Sequence, residues 1–393
     1  MLRSKFRVEK CDKTLSKHNP DFLLDNFVEA EVKSVLWPLY VAQCLSLAPK
    51  YSMRYGLITS ISCYFYVFVC VCAVAISAAW FCSLFGVTSG ILYSTALYAY
   101  GITLIIVYIN NSTVTTYKSN MNAYLIILIQ KIHIDFEYVK LNTRNISIVS
   151  WIFLIAIIFF NAVHFILRVV EVPHSVSRIF LVHLIYISND CNLIIKFRTI
   201  HLLGKYIETW ILELEHFCST NFLDDTERDY IKNTESRMKK IITGYDKIVE
   251  ALDICNKIFG VSILFSVVMS FFQVFFNVQY IILVSILHTV PSWKRTMYIS
   301  QTLWIKNITL MSILCMESEN VCLRMKNAEV ACTVLSATHT SADLCRVLRR
   351  QEPRAGVSWL RAVGFFPVDA TLPPRFLAVL ATYTVVILQF YFL

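Results

Sequence analysis

Seven stretches of the chain are apolar for about the 20 residues a helix needs to cross a bilayer, and the basic residues lie almost entirely between them. They run over 57–85, 89–109, 146–170, 179–195, 258–286, 297–316 and 376–393. The fourth is interrupted near its end by Asn189, Asp190 and Asn192, and the sixth is the weakest, with Lys306 and Asn307 at its middle. Hydrophobic residues make up 56% of the chain and charged residues 16%, against about a quarter charged in soluble domains. One water-soluble core of this size cannot hold that much apolar side chain, so the excess must face lipid. Gly and Pro number 9 each, which favours long unbroken helices and disfavours transporters built on broken ones.

The expected fold is an all-α membrane protein with seven transmembrane helices. Lys and Arg give the orientation: segments 1–56, 110–145, 196–257 and 317–375 hold 31 of the 36. Basic segments stay in the cytoplasm, so the N-terminus is predicted inside and the C-terminus outside. G-protein-coupled receptors run the opposite way. The net charge of +9 is thereby a topology signal, and no nucleic-acid partner is expected. The first 30 residues hold no apolar signal-peptide core. The 13 cysteines show no zinc spacing and read as small buried apolar side chains.

The predicted organisation is a cytoplasmic segment 1–56, six spans within 57–316 including an inner loop at 196–257, an inner segment 317–375 and a last span at 376–393. The stretch 35–48 is too short to span and is expected along the inner interface. Three spans continue inward as amphipathic helices. After the fourth, 202–217 has no breaker beyond Gly204. Before the fifth, Met238, Ile242, Tyr245, Val249, Leu252, Cys255 and Phe259 keep helical spacing, and after the sixth so do Val321, Met325, Ala328, Cys332 and Leu335. Such stripes must pack on one another, on neighbouring subunits or on the membrane surface.

No phosphate-binding loop, GxSxG or HExxH is present, so no enzyme, cofactor or metal is expected. Polar residues inside the spans carry the functional reading. Asn161, His164 and Arg168 share one face of the third span, and His183, Tyr186 and Asp190 repeat that spacing on the fourth. Ser266, Ser270, Gln273, Asn277 and Tyr280 line the fifth, and Trp304 and Thr309 lie on the sixth. Phe271, Phe272, Phe275 and Phe276 stand nearby. Aromatic walls with a few placed polar groups make a small-molecule pocket. The candidates for its lining are Asn161, His164, His183, Tyr186, Gln273, Phe276 and Trp304. The other reading of each polar residue is an interhelical hydrogen bond. The sequons at Asn110, Asn111 and Asn145 fall on the inner side and are expected unmodified.

In the last span Thr382, Val386, Gln389 and Leu393 share a face. A glutamine facing lipid would be costly. Either several copies of this helix surround an axis, with Gln389 in a polar ring beside the apolar Val386 and Phe390, or Gln389 bonds another helix of its own chain. Spacing leaves both open.

Thr382, Tyr383, the apolar TVVIL, Gln389 and Phe390 resemble the C-terminal signature of the insect gustatory receptors. AVGFFPVDATL (362–372) resembles the Gly-Phe-Phe segment that precedes the last span there. The resemblance implies a tastant-gated, non-selective cation channel of four subunits. The last helices would line the pore, and the inner ends of the fourth to seventh would form a shared anchor. It places Gln389 and Phe390 at the gate, with Thr382 and Tyr383 at the start of the motif. The tastant would bind between the outer halves of the earlier helices. Sugar-sensing members carry an acidic residue after Thr-Tyr, whereas this chain has Thr384, which points to bitter or plant-derived compounds. The implied setting is the plasma membrane of gustatory neurons, as a homotetramer or beside related subunits. The alternatives are a G-protein-coupled-type chemoreceptor and, further off, a membrane transporter.

Overall fold

The computed structural model describes residues 28–45, 50–54, 57–59, 118–136, 142–171, 176–221, 228–287, 293–338, 360–362 and 365–392, with Ile102, Ile106 and Ile109. The described helices are α1 (Ala30–Leu45), α2 (Ser119–Asp135), α3 (Thr143–Glu171), α4 (Val176–Asn221), α5 (Arg228–Leu287), α6 (Trp293–Thr338) and α7 (Leu372–Phe392). Two antiparallel hairpins accompany them: β1 (Ser52–Arg54) with β2 (Leu57–Thr59), and β3 (Arg361–Ala362) with β4 (Phe366–Pro367). The first two predicted spans lie almost wholly outside these residues. Within them, β2 occupies 57–59, and Ile102, Ile106 and Ile109 are helical and exposed along one face.

Helix α3 shows why this is a membrane fold. Its buried face is Ile146, Ser150, Leu154, Ile157, Asn161 and His164, spaced three or four apart. Its exposed surface is Ile152, Ile155, Phe159, Ile166 and Val170 among others. A soluble helix buries its apolar face and exposes its polar one; α3 instead buries Ser150, Asn161 and His164 beside core apolar residues and leaves isoleucines and a phenylalanine exposed. Residues 143–170 of α3 and 239–275 of α5 are the described helices long and apolar enough to cross a membrane.

Helices α4, α5 and α6 run for 46, 60 and 46 residues, roughly 69, 90 and 69 Å. Each therefore extends far beyond one bilayer thickness. Most of the stripes expected on the extensions are core: Tyr245, Leu252, Cys255 and Phe259 on α5, and Val321, Met325, Ala328 and Cys332 on α6, are buried, Ile242 and Val249 are half-buried, and the side chains of Met238 and Leu335 lie outside the described set.

Helix α4 is the hub. It packs against α1, α2, α3, α5 and α6, and every residue from 188 to 200 is buried. A helix enclosed on all sides needs no apolar stripe, which explains why the fourth span fades in the sequence. Its polar residues become ties. Arg198 donates from Nε to Ser150 Oγ (2.9 Å) and from Nη2 to the Ile146 carbonyl (2.8 Å). His201 meets Glu317 on α6 at 3.0 Å. Burial pushes the Glu317 carboxyl up, but the His201 bond and the charges of His201, Arg324 and Arg198 outweigh it and hold the group below the ordinary carboxylate range. Trp210 Nε1 donates to the Ile241 carbonyl at 2.9 Å, and its ring lies 4.6 Å from Tyr245.

Glycine leaves room for two close approaches. A Cβ on Gly204 would run into the Arg324 guanidinium and stand 3.0 Å from Val321 Cγ2. One on Gly244 would stand 2.6 Å from the Phe136 ring. In α1, Pro38 cannot donate to the carbonyl of Ser34 one turn back. Ser147 at the start of α3 donates to that carbonyl instead, at 2.7 Å. The proline thus frees an acceptor that joins two helices.

The segment before α7 is a clamp. Leu360, Ala362 and Val368 are buried, and Arg361 N–H donates to Asn256 Oδ1 of α5 (3.1 Å). Ala370 N–H donates to Glu319 Oε2 of α6 (2.9 Å). Asp369 caps the turn into α7 by accepting from the Thr371 N–H and hydroxyl. Pro373 and Pro374 fall in the first turn of α7, where their missing N–H groups cost no helical bond.

Candidate functional site

The polar faces of α3, α4, α5 and α6 meet inside the bundle. Asn161 Nδ2 donates to Asp190 Oδ2 at 2.9 Å and to the Ile157 carbonyl at 2.9 Å. Lys306 of α6 donates to the same Asp190 oxygen at 2.5 Å. The two side chains of this ion pair are only 7% and 1% exposed. The ammonium also stands 5.5 Å from the Phe160 ring centroid and 5.9 Å from that of Tyr186, so two aromatic faces share the charge. Removing one member of such a buried pair leaves an uncompensated charge.

Next to it, His164 Nδ1 and His183 Nε2 are 2.8 Å apart, and His183 Nδ1 lies 2.8 Å from the Ile179 carbonyl. A carbonyl only accepts, so His183 Nδ1 carries the proton. In a neutral His183, Nε2 is then an acceptor, and His164 Nδ1 donates to it. Phe165 and Tyr186 stand edge-on to the His183 ring at 5.4 and 5.9 Å. Asn307 Nδ2 donates to Gln273 Oε1, and Ser266 Oγ reaches Asn189 Oδ1 at 3.4 Å.

The cluster is not saturated. Asn161 Oδ1, Asp190 Oδ1, Asn307 Oδ1, Gln273 Nε2 and Ser188 Oγ are buried and find no partner among the described residues. Three acceptors, one amide donor and one hydroxyl thus remain for hydrogen bonding within one region of three helices and their neighbour α3. A small apolar recess lies elsewhere, between α5, α6 and the start of α7, lined by Val267, Ile308, Met311 and Phe376 among others, with a cavity volume of only about 10 Å³.

Of the residues expected to line a pocket, Asn161, His164, His183, Tyr186 and Gln273 are buried in this region. Trp304 is half-buried on α6. Phe276 lies in α5, but its side chain is outside the described set, as are those of Asn277 and Tyr280. Thr309 is exposed and bonds the Ile305 carbonyl of its own helix. Lys306 and Asn307, which marked the sixth span as weak, are the partners of Asp190 and Gln273. Their signal was complementarity: a lone base in one span and a lone acid in another each need the other.

Helix α7 stands apart. Among the described elements it packs on α5 and α6, with the Phe271 ring edge-on to Phe376 (6.2 Å) and Tyr383 (5.8 Å). Leu380 is its one buried hydrophobic residue in the described set. Thr382, Tyr383, Val386 and Gln389 are all exposed on the single chain. The Thr382 hydroxyl turns back to the Ala378 carbonyl at 3.0 Å. Phe390 lies in α7 with its side chain outside the described set.

No curated protein matches the sequence. Solved structures that share the fold include two of an insect olfactory receptor. The insect olfactory receptor OR5 from Machilis hrabei in complex with eugenol aligns with a TM-score of 0.63 at 10% identity, covering 92% of this chain and 100% of that one. A second structure of olfactory receptor OR5 from Machilis hrabei aligns with a TM-score of 0.55 at 12% identity, covering 90% and 97%. The bundle of long helices is therefore the seven-helix fold of that receptor. The profile of the 7tm chemosensory receptors matches residues 138–393, which hold α3 to α7 and the buried cluster. With polar side chains turned inward, isoleucines turned to lipid and that profile over most of its length, the chain belongs to the 7tm chemosensory receptor family.

Proposed function

We propose that this receptor is a tastant-gated, non-selective cation channel of the gustatory type, with its N-terminus in the cytoplasm and four copies of α7 around a central pore. One observation carries the reading: α7 exposes Thr382, Tyr383, Val386 and Gln389 on the single chain. An amide left uncovered on an apolar helix must meet protein or water. A ring of α7 copies supplies both. Gln389 then forms a neutral polar ring, and Val386 and Phe390 form an apolar constriction that gates by dewetting. A neutral ring suits weak selection among cations.

The ligand site is the unsaturated cluster, with Asn161, His164, His183, Tyr186, Gln273, Phe276 and Trp304 as its lining. Its unpartnered acceptors and donor favour a compound with hydroxyl or amine groups on an aromatic or ring frame. An insect olfactory receptor of the same fold is known in complex with eugenol, which supports small-molecule binding in this fold. The gustatory type rests on the Thr-Tyr…Gln-Phe motif, and the bitter or plant-compound class on Thr384 in place of an acid. The setting is the plasma membrane of taste neurons, as a homotetramer or with related subunits.

The test is to express the chain in cells without other taste receptors and record excised patches without GTP under a tastant panel. Ligand-evoked cation current is expected. Gln389→Glu should change relative cation permeability and leave tastant ranking intact, while His183→Ala or Tyr186→Ala should do the reverse. A response that requires GTP, or a Gln389 variant that alters only tastant ranking, refutes the pore assignment.

A further inference from the structure

Past its first turn, helix α1 is apolar on every side, yet it is not buried on every side. Where the chain enters it the residues are polar and tied inward. Glu29 N–H donates to Gln130 Oε1 of α2 at 3.2 Å, and the Glu31 carboxylate lies 3.6 Å from His133 Nε2. The rest of α1 packs on α3 and α4, and Val32, Val35, Leu36, Leu39 and Ala42 are its buried face. The one amide beyond Ser34, Gln43, is buried and accepts the Lys50 N–H at 2.9 Å. On the opposite face stand Ser34, Trp37, Val41, Cys44 and Leu45, which helical spacing puts within an arc of about 100°. Trp37 is 40% exposed and Leu45 41%.

Contacts set the depth of this stretch. At one end, the Ser34 carbonyl accepts from Ser147, next to Ile146 where the third apolar span begins. At the other, Gln43 holds Lys50, and Ser119 Oγ donates to the Lys50 carbonyl at 3.4 Å. The adjacent Lys118 ammonium donates to the carbonyl of Lys257, the residue before the fifth apolar span. Both ends therefore lie where spans meet water. A helix standing along those spans would separate Ser34 from Gln43 by about 14 Å in depth, so α1 lies close to the membrane plane.

We propose that the exposed face of α1 seats in the headgroup–acyl boundary of the bilayer, with Trp37 and Leu45 in lipid and the polar entry to the helix in water. A helix apolar all round belongs in a core or in lipid, and protein covers only one side of this one. The lipid surface is continuous with it: α3, on which α1 packs, turns Ile148, Val149 and Ile152 outward just past Ser147. Tryptophan and tyrosine favour this depth, with the ring in the apolar layer and the polar tip wet. The Trp37 ring lies 5.6 Å from Tyr40, and Tyr40 lies 5.9 Å from Tyr51. A second copy of the chain is the other occupant, but the strip falls far short of the about 20 residues a side that a stable interface uses. The inference needs the membrane fold alone and not the channel reading; only the choice of the inner leaflet rests on the orientation proposed above.

The test reads Trp37 fluorescence in the full chain, held in phosphatidylcholine nanodiscs. The chain has seven tryptophans, so the Trp37 signal is the difference between wild type and Trp37→Phe. Phosphatidylcholine spin-labelled near its headgroup should quench that difference at least about twofold more than lipid labelled at the chain end, and aqueous iodide should leave it almost unchanged. Leu45→Trp in the Trp37→Phe background should restore a signal quenched by the same lipid. Should that double variant fold poorly, the Trp37 difference decides alone. Quenching by iodide and not by lipid would place the face in water, and quenching by neither would place a second copy or another part of the chain over it; either result overturns the proposal. Stronger quenching from the chain end overturns the depth. Lipid quenching in a chain that passes no ligand-evoked current would leave α1 where it is proposed and fail the channel reading alone.

Discussion

Two sets of polar residues sit in apolar helices of this protein, and they have opposite fates. On α4 and its neighbours, Asp190, Asn161, Lys306, Gln273 and Asn307 turn inward and find most of their partners within one chain. On α7, Thr382, Tyr383 and Gln389 stay exposed, with only the Tyr383 ring touching Phe271 and the Thr382 hydroxyl bonding back to its own helix. The sequence signal is the same in both places: a group that lipid cannot satisfy. The difference is the partner. Among the described elements the middle of α4 is enclosed by five helices, whereas α7 packs on two and leaves one face exposed. An intramembrane polar residue thus says that lipid is excluded, and only the packing says by what.

The contrast can be broken by mutation, and the largest effect belongs to the enclosed set. Lys306→Met leaves the Asp190 carboxylate buried against Asn161 alone and should cost about 3–5 kcal/mol, while adding Asp190→Leu should return most of it. Thermal melts of the purified receptor measure both. A single variant as stable as the wild type would show that the ion pair does not form.

A smaller loss is expected at Gln273→Ala. It orphans the buried Asn307 amide and should cost about 1–3 kcal/mol, seen as a lower Tm with α7 unaffected.

The extension of α4 separates burial from partnering without a membrane. Burial raises the Glu213 carboxyl from its ordinary 4.5 to about 7. A carboxyl with a raised folded pKa binds its proton more tightly when folded, so this group's contribution falls as pH rises from about 4.5 to about 7. Melts of the wild type against Glu213→Gln across that window should show the slope in the wild type and its loss in the variant.

The smallest stability change belongs to the uncovered helix. Gln389→Ala should alter the Tm of a single subunit by no more than about 0.5 kcal/mol equivalent, while changing permeation through the proposed pore. A large loss in the isolated subunit would mean that Gln389 bonds within its own chain, and the two regions would no longer differ.

Much of this architecture was legible in the residues. The inward stripe of α5 and α6 follows from apolar spacing alone, and Tyr245, Leu252, Val321 and Met325 are core as that spacing requires. The converging faces of Asn161, His164 and His183 were readable because helical periodicity puts residues three or four apart on one side. Other features were not. Lys306 and Asn307 look like flaws in a span until Asp190 and Gln273 come into view from other helices. The prolines at 373 and 374 look like a boundary, yet the helix begins at Leu372, because its first turn requires no donor from them. The isolated Lys196 gives no sign of its burial, since one lysine at the end of an apolar run ordinarily reaches water.

The sequence by itself determined that this chain folds as helices in lipid, which faces turn inward, and where the basic ends lie. Those properties follow from the 3.6-residue period and from the cost of placing charge in hydrocarbon, both local to each segment. Only the tertiary structure decided which acid meets which base, which glycine admits a neighbour, and that α4 is surrounded while α7 is left open. Such pairings depend on contacts between residues far apart in the chain, and no spacing along a single helix encodes them.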